Sequence, residues 1–146
     1  MTGMDLKQLY TDMILEYNRD LRYRHELESP TCSERGHNPS CGDDITLHLQ
    51  LDGKQIKDMS YTGQGCAICQ ASTTMMIDLL KGKTLQEANE LTDLFLRMIT
   101  REISSEDDLE LLEDAMILQN ISNMPSRVKC AVLAWRTLRA ALNREE

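Results

Sequence analysis

Along the first stretch of the chain, apolar residues recur at intervals of three and four. Leu6, Leu9, Met13, Ile14 and Tyr17 predict a helix from Asp5 to Asn18. The pattern then lapses. Arg19 to Ser29 is charged, with Tyr23 and Leu27 offering a short strand, and Ser29 to Ser40 reads as a loop rich in polar residues, Pro and Gly. From Asp44 to Asp52 the period drops to two: Ile45, Leu47, Leu49 and Leu51 alternate with Thr46, His48, Gln50 and Asp52. Asp52-Gly53 is a two-residue hairpin turn, and Gln55 to Tyr61 returns as a second strand. Ile56 is out of phase with Met59 and Tyr61, which predicts a bulge or burial on both faces.

Gly63-Gln64-Gly65 ends the strand, and the helical period resumes from Cys66 to Lys81 through Ile68, Ala71, Met75, Met76, Leu79 and Leu80. Gly82 is a helix stop. Thr84-Leu85-Gln86-Glu87 is a capping box, in which the Thr hydroxyl and the Glu carboxylate each satisfy an orphan backbone N–H. It opens a helix to about Thr100, buried through Leu85, Ala88, Leu91, Leu94, Phe95 and Met98. The acidic turn from Ser104 to Asp108 starts another helix, continued by Leu109, Leu112, Met116 and Ile117. Asn123-Met124-Pro125 punctuates it. Pro125 suits the first turn of a last helix that runs to Leu142 with Val128, Val132, Trp135, Leu138 and Leu142 inward. Two clear strands, a candidate third and several helices make an α+β chain, with a small antiparallel sheet packed against helices. At 146 residues it is expected to form one domain.

Composition changes this picture in three ways. Only 4% of residues are aromatic while nine are Met, so the core is aliphatic and thioether-rich. A net charge of −8 argues against a nucleic-acid partner, which requires a Lys/Arg surplus. No apolar run approaches the ~18 residues of a membrane span. Met1 to Tyr10 lacks the apolar core of a signal peptide, so the cytoplasm is the expected compartment. In a reducing compartment, five cysteines point to metal binding or catalysis rather than disulfides.

The chemistry gathers around Asn38-Pro39-Ser40-Cys41-Gly42-Asp43. Cys41 and Cys66 stand nearly equidistant from the Asp52-Gly53 turn, so both belong at the open end of the hairpin. Asp43, two residues beyond Cys41, points to the same face in an extended chain. Cys66 opens a helix, whose unpaired N–H groups favour thiolate. Cys130 stands early in the last helix, with Arg127 and Lys129 adding positive potential, and is expected about 200° around the helix from Val128. Three thiolates and a carboxylate suit a thiophilic ion such as Zn²⁺, or an iron–sulfur centre. Periodicity alone does not bring Cys130 to the other two, and a cysteine is often a small buried residue.

Three segments also carry a family resemblance: Asn38 to Asp43, Gly63-Gln64-Gly65-Cys66-Ala67-Ile68, and Arg127-Val128-Lys129-Cys130-Ala131-Val132-Leu133-Ala134-Trp135. With the order of strands and helices, the chain resembles the iron–sulfur cluster assembly proteins of the IscU/NifU N-terminal family, most closely its SufU branch. Lys129, where the scaffold branch has His, and the long stretch from Leu85 to Met124 favour that branch. The resemblance implies a Zn²⁺ site made by Cys41, Asp43, Cys66 and Cys130. It implies that Cys41 accepts persulfide sulfur from a SufS-type cysteine desulfurase and works with other iron–sulfur assembly proteins. The alternative it allows is a scaffold holding iron or a [2Fe–2S] cluster on the same ligands. The chain departs from the family in Cys69, where a small residue such as Ser is usual, in the extra Cys32, and in an N-terminal helix without the usual His-Tyr and Asn-Pro pairs.

Other residues carry blander readings. Cys66-Ala67-Ile68-Cys69 has the spacing of a dithiol redox pair, but the flanking hairpin is not a βαβ unit, and Cys69 borders Met76 and Leu80, as a packing residue does. Cys32 reads as an incidental thiol in a polar loop. His37 is near enough to Cys41 to be an alternative ligand, though a loop His is more often solvated. His25 and His48 read as exposed or structural, Asp44 as surface, and Trp135 as core.

Overall fold

The computed structural model describes residues 6–145. The expected helix start at Asp5 and the reading of Met1 onward lie partly outside the described residues. The elements run α1 (Leu6–Arg19), β1 (Cys32–Asn38), β2 (Asp43–Asp52), β3 (Gln55–Gln64), α2 (Ala67–Leu80), α3 (Leu85–Ile99), a short α4 (Glu106–Leu109), a 3-10 segment (Glu110–Asn123) and α5 (Pro125–Glu145). The sheet is antiparallel in the order β1-β2-β3. The α+β class holds, and no helix among the described residues is long and apolar enough to cross a membrane.

The third strand is not where Tyr23 and Leu27 suggested. The segment around Tyr23 makes a single backbone bond to β3, its carbonyl accepting the Tyr61 N–H at 2.8 Å. The strand is instead Cys32–Asn38, within the stretch expected as loop. Its sequence hides it because its one fully buried position is Gly36, which has no side chain to register as apolar. A Cβ on Gly36 would sit 2.0 Å from the Thr137 hydroxyl of α5, so the helix closes onto bare backbone. Cys32 is therefore half-buried in a strand rather than adrift in a loop.

β2 and β3 follow their alternation. Ile45, Leu47, Leu49, Met59 and Tyr61 are buried under the helices. Each contributes roughly 1.5–3 kcal/mol through removal from water. The phase break in β3 is a bulge: Gln50 pairs with Asp58 but Leu51 pairs with Ile56, leaving Lys57 extra. His48, expected on the wet face, is half-buried. It sits in a ladder across all three strands, with Nδ1 at 2.8 Å from Ser33 Oγ and Nε2 at 2.9 Å from Thr62 Oγ1. Burial holds its pKa below the usual imidazole range.

The helix expected after the acidic turn is only one turn long, and a 3-10 segment follows it. The reason lies in the spacing of what is buried: Leu109, Leu112, Ala115, Leu118 and Ile121 fall every third residue. That period stacks side chains along a 3-10 helix and would spiral off one face of an α-helix. Glu113 interrupts the segment at φ 52°, with its side chain exposed.

The last helix is clamped onto α2. Trp135 Nε1 donates to Ser72 Oγ at 2.9 Å, and Ser72 donates onward to the Ala131 carbonyl at 2.6 Å. Phe95 of α3 stacks on Trp135 with ring centres 4.0 Å apart. Gly36→Val is expected to lower stability by about 1–3 kcal/mol, because overpacking forces α5 away from β1. Urea unfolding followed by Trp135 fluorescence would register this as an earlier midpoint.

Candidate metal centre

Cys41 sits in the hairpin loop between β1 and β2. The Asn38 carbonyl accepts the N–H groups of Cys41 at 3.3 Å and Gly42 at 3.0 Å, and its side-chain oxygen accepts that of Ser40 at 3.1 Å. Gly42 has φ 74°, a backbone state that costs a side-chain-bearing residue energy but Gly little. The loop thus turns sharply and leaves Cys41 exposed at its outer edge.

Asp43 follows as the first residue of β2. It has the same parity as Ile45, Leu47 and Leu49, so it points inward and is fully buried. A buried carboxylate needs donors to offset lost hydration. Cys66 supplies its backbone N–H to Oδ1 at 2.8 Å, and Cys41 points its thiol at Oδ2 at 3.1 Å. Gly65 is required beside it: a Cβ there would lie 2.9 Å from both Asp43 Oδ1 and Cys69 Sγ. Asp44, one residue on, faces the other way and pairs with Arg35 at 2.7 Å.

Cys130 completes the approach. Its Sγ lies 3.6 Å from that of Cys41, across 89 residues of sequence. It does not point away from the core, as its offset from Val128 suggested: Cys130 is buried and Val128 only half-buried. Nor do Arg127 and Lys129 dominate its chemistry, since both side chains are exposed. Burial, first, and hydrogen bonding with Cys66 and Cys41 push the Cys130 thiol far above its ordinary range. The Cys41 thiol is raised more modestly, by loss of water and by its bond to Asp43.

Cys66 caps α2, and its Sγ accepts the Cys69 N–H at 3.4 Å. Cys41, Asp43 and Cys130 each bring a ligand atom within 4.8 Å of the others, and Cys66 stands beside that trio rather than in it. His37 is exposed on β1 and is not part of the trio. Ideal tetrahedral zinc would separate two sulfurs by about 3.8 Å and a sulfur from a carboxylate oxygen by about 3.5 Å. The observed 3.6 Å and 3.1 Å are close to these, so the donors fit a sulfur-rich tetrahedral ion.

Two supporting residues were not legible in the sequence. Gln70 is nearly buried; its oxygen accepts the Gly65 N–H at 3.3 Å and its amide donates to Asn18 of α1 at 2.7 Å. Tyr10 of α1 is half-buried within electrostatic reach of both Arg127 and Cys66. Both fall in helical patterns where they read as packing. Beside Cys41 a cavity of about 390 Å³ opens to solvent, lined by Asn38, Ser40, Cys41, Pro125, Ser126 and Lys129.

The sequence profile of the NifU-like N terminal domain matches residues 9–144. The chain belongs to that family. It is 36% identical to the iron–sulfur cluster assembly scaffold protein IscU of Thermotoga maritima, over 97% of each chain. It is 34% identical to the zinc-dependent sulfurtransferase SufU of Bacillus subtilis, over 97% of this chain and 95% of that one. A crystal structure from Fervidobacterium islandicum AW-1, assigned as an iron–sulfur cluster assembly scaffold protein for the SUF system, superposes with a TM-score of 0.86 at 37% identity. It covers 92% of this chain and 97% of that one. In this family member Cys41, Asp43 and Cys130 come together.

Asp43→Asn keeps the acceptor for the Cys66 N–H but removes the charge. It is expected to weaken binding of added Zn²⁺ by at least about tenfold, read by competition with a chromophoric chelator.

Proposed function

We propose that this protein is a zinc-containing sulfur acceptor that takes sulfane sulfur from a cysteine desulfurase for iron–sulfur cluster assembly. The observation that carries this reading is the double position of Cys41. Its thiol lies within ligand distance of Asp43 and Cys130, yet the residue is exposed on a turn at the rim of an open cavity. Cys66 and Cys130 are tied to helices and Asp43 to the core, so Cys41 is the ligand free to leave.

Zn²⁺ held by Cys41, Asp43, Cys66 and Cys130 would keep the sulfurs as thiolates at neutral pH and shield them from oxidation. Cys66 Sγ, beside the trio, already hydrogen-bonds with Cys130 while it accepts the Cys69 N–H. The Cys41 thiolate attacks the outer sulfur of the partner's persulfide; that sulfur moves to Cys41 and the partner's thiolate departs. Asp43 Oδ2 accepts the Cys41 S–H whenever Cys41 is protonated off the metal. Lys129, on the cavity wall, favours approach of the anionic persulfide. The partner is best matched by a SufS-type desulfurase, and the setting by the cytoplasm.

The relative named as a scaffold supports a second reading, in which the same donors hold a [2Fe–2S] cluster. The two separate by colour and metal. We expect the purified protein to be colourless, to hold about one zinc per chain, and to speed cysteine turnover by a SufS-type desulfurase. Cys41→Ala should take up no persulfide by mass spectrometry and stimulate nothing. A stable brown cluster after iron and sulfide reconstitution, without stimulation of the desulfurase, would establish the scaffold reading instead.

A further inference from the structure

Next to the site just described lies a sulfur that it does not use. Cys69 is fully buried, on the first turn of α2, three residues after Cys66. Residues three apart on a helix share a face. A C-x₂-C step is also the spacing with which two cysteines grip one thiophilic ion. Here the step is already folded for that purpose, with the Cys69 N–H donating to Cys66 Sγ at 3.4 Å. Such an amide bond stabilises a ligating thiolate rather than a thiol.

The Cys69 sulfur also lies on the site's inner side. It and Asp43 Oδ1 press against the same bare Cα of Gly65, each 2.9 Å from where a Cβ would be. Burial, first, and then the neighbouring Asp43, Cys66 and Cys41 push the Cys69 thiol well above the ordinary range. Cys69 thus stands, buried, near Oδ1 of the carboxylate, while the exposed Cys41 meets Oδ2. If Cys41 leaves to carry sulfur, a metal held by Cys66, Cys130 and Asp43 would be one ligand short, and Cys69 is the donor next to the gap.

We propose that Cys69 is a reserve metal ligand, entering the coordination shell from the buried side when Cys41 departs from the exposed side. This inference rests on the zinc reading above. In the exchange Cys69 gives up its proton, which leaves with the Cys41 sulfur, and the count of thiolates on the metal stays at three. Asp43 and Cys66 stay in place, because Cys69 needs to turn only its own side chain on a helix already fixed by Ser72 and Trp135.

Cobalt(II) substitution tests this, because thiolate-to-cobalt absorption in the near ultraviolet grows with the number of Co–S bonds. Wild type and Cys69→Ser should absorb alike, since Cys41 is in place in both. Cys41→Ala should match them, with Cys69 in its stead. The double variant Cys41→Ala/Cys69→Ser should lose about a third of the absorption per bound cobalt and release the ion faster to a chelator. Near-ultraviolet circular dichroism of Trp135 confirms that each variant is folded. The proposal is overturned if Cys41→Ala already loses that third and adding Cys69→Ser changes nothing further. That outcome leaves the zinc reading intact, whereas a folded wild type with no thiolate-bound cobalt overturns both.

Discussion

The arrangement depends on one buried carboxylate. Asp43 ends the inward stripe of β2 where the next apolar residue would stand, and it is fully out of solvent. An isolated charge there would cost several kcal/mol. The Cys66 N–H and the Cys41 thiol offset that cost, and in doing so they tie the hairpin loop, the strand and the start of α2 to one point. Gly65 must be bare for the carboxylate to reach that N–H, and Gly42 must take a left-handed turn for Cys41 to come back over it.

Cys130 reaches the same point by a different device. It has no hydrogen bond to Asp43; its height along α5 is set by the relay from Trp135 through Ser72 to the Ala131 carbonyl. Buried hydrogen bonds of this kind are expensive to break singly, since each loss strands a polar group. The stacked Phe95 ring, and the close contact of Thr137 with Gly36, keep the helix from sliding or lifting. Packing of the core therefore sets a sulfur–sulfur distance at the surface.

The cluster is asymmetric in mobility. One sulfur is on an exposed turn, one caps a helix, one is buried in a helix flank, and a fourth lies near the carboxylate. A metal that must be tightly held yet give up one ligand is served by such a gradient from rigid to loose. A cage of four equally buried thiolates would hold its ion more firmly but offer no nucleophile to a partner. In the proposed metal site the carboxylate adds to this, being a harder donor than a thiolate.

Much of this was legible in the residues. Alternation fixed the inward parity of Asp43, the turn arithmetic set Cys41 near Cys66, and the capping box and helix periods located α2, α3 and α5 because burial was carried by visible apolar side chains. Where burial is carried by a missing side chain, the signal fails: β1 escaped notice because its buried position is Gly36. Where spacing of three mimics spacing of three or four, the helix type fails too, as in the 3-10 segment. The candidate donors, their family motifs and their rough neighbourhood were thus legible in the sequence alone. The approach of Cys130 to Cys41, the burial of Cys130 against the expectation from Val128, and the place of Cys69 near Asp43 were decided only in the folded chain. They depend on how α5 and α2 seat on the sheet, and contacts between residues that far apart leave no local period to read.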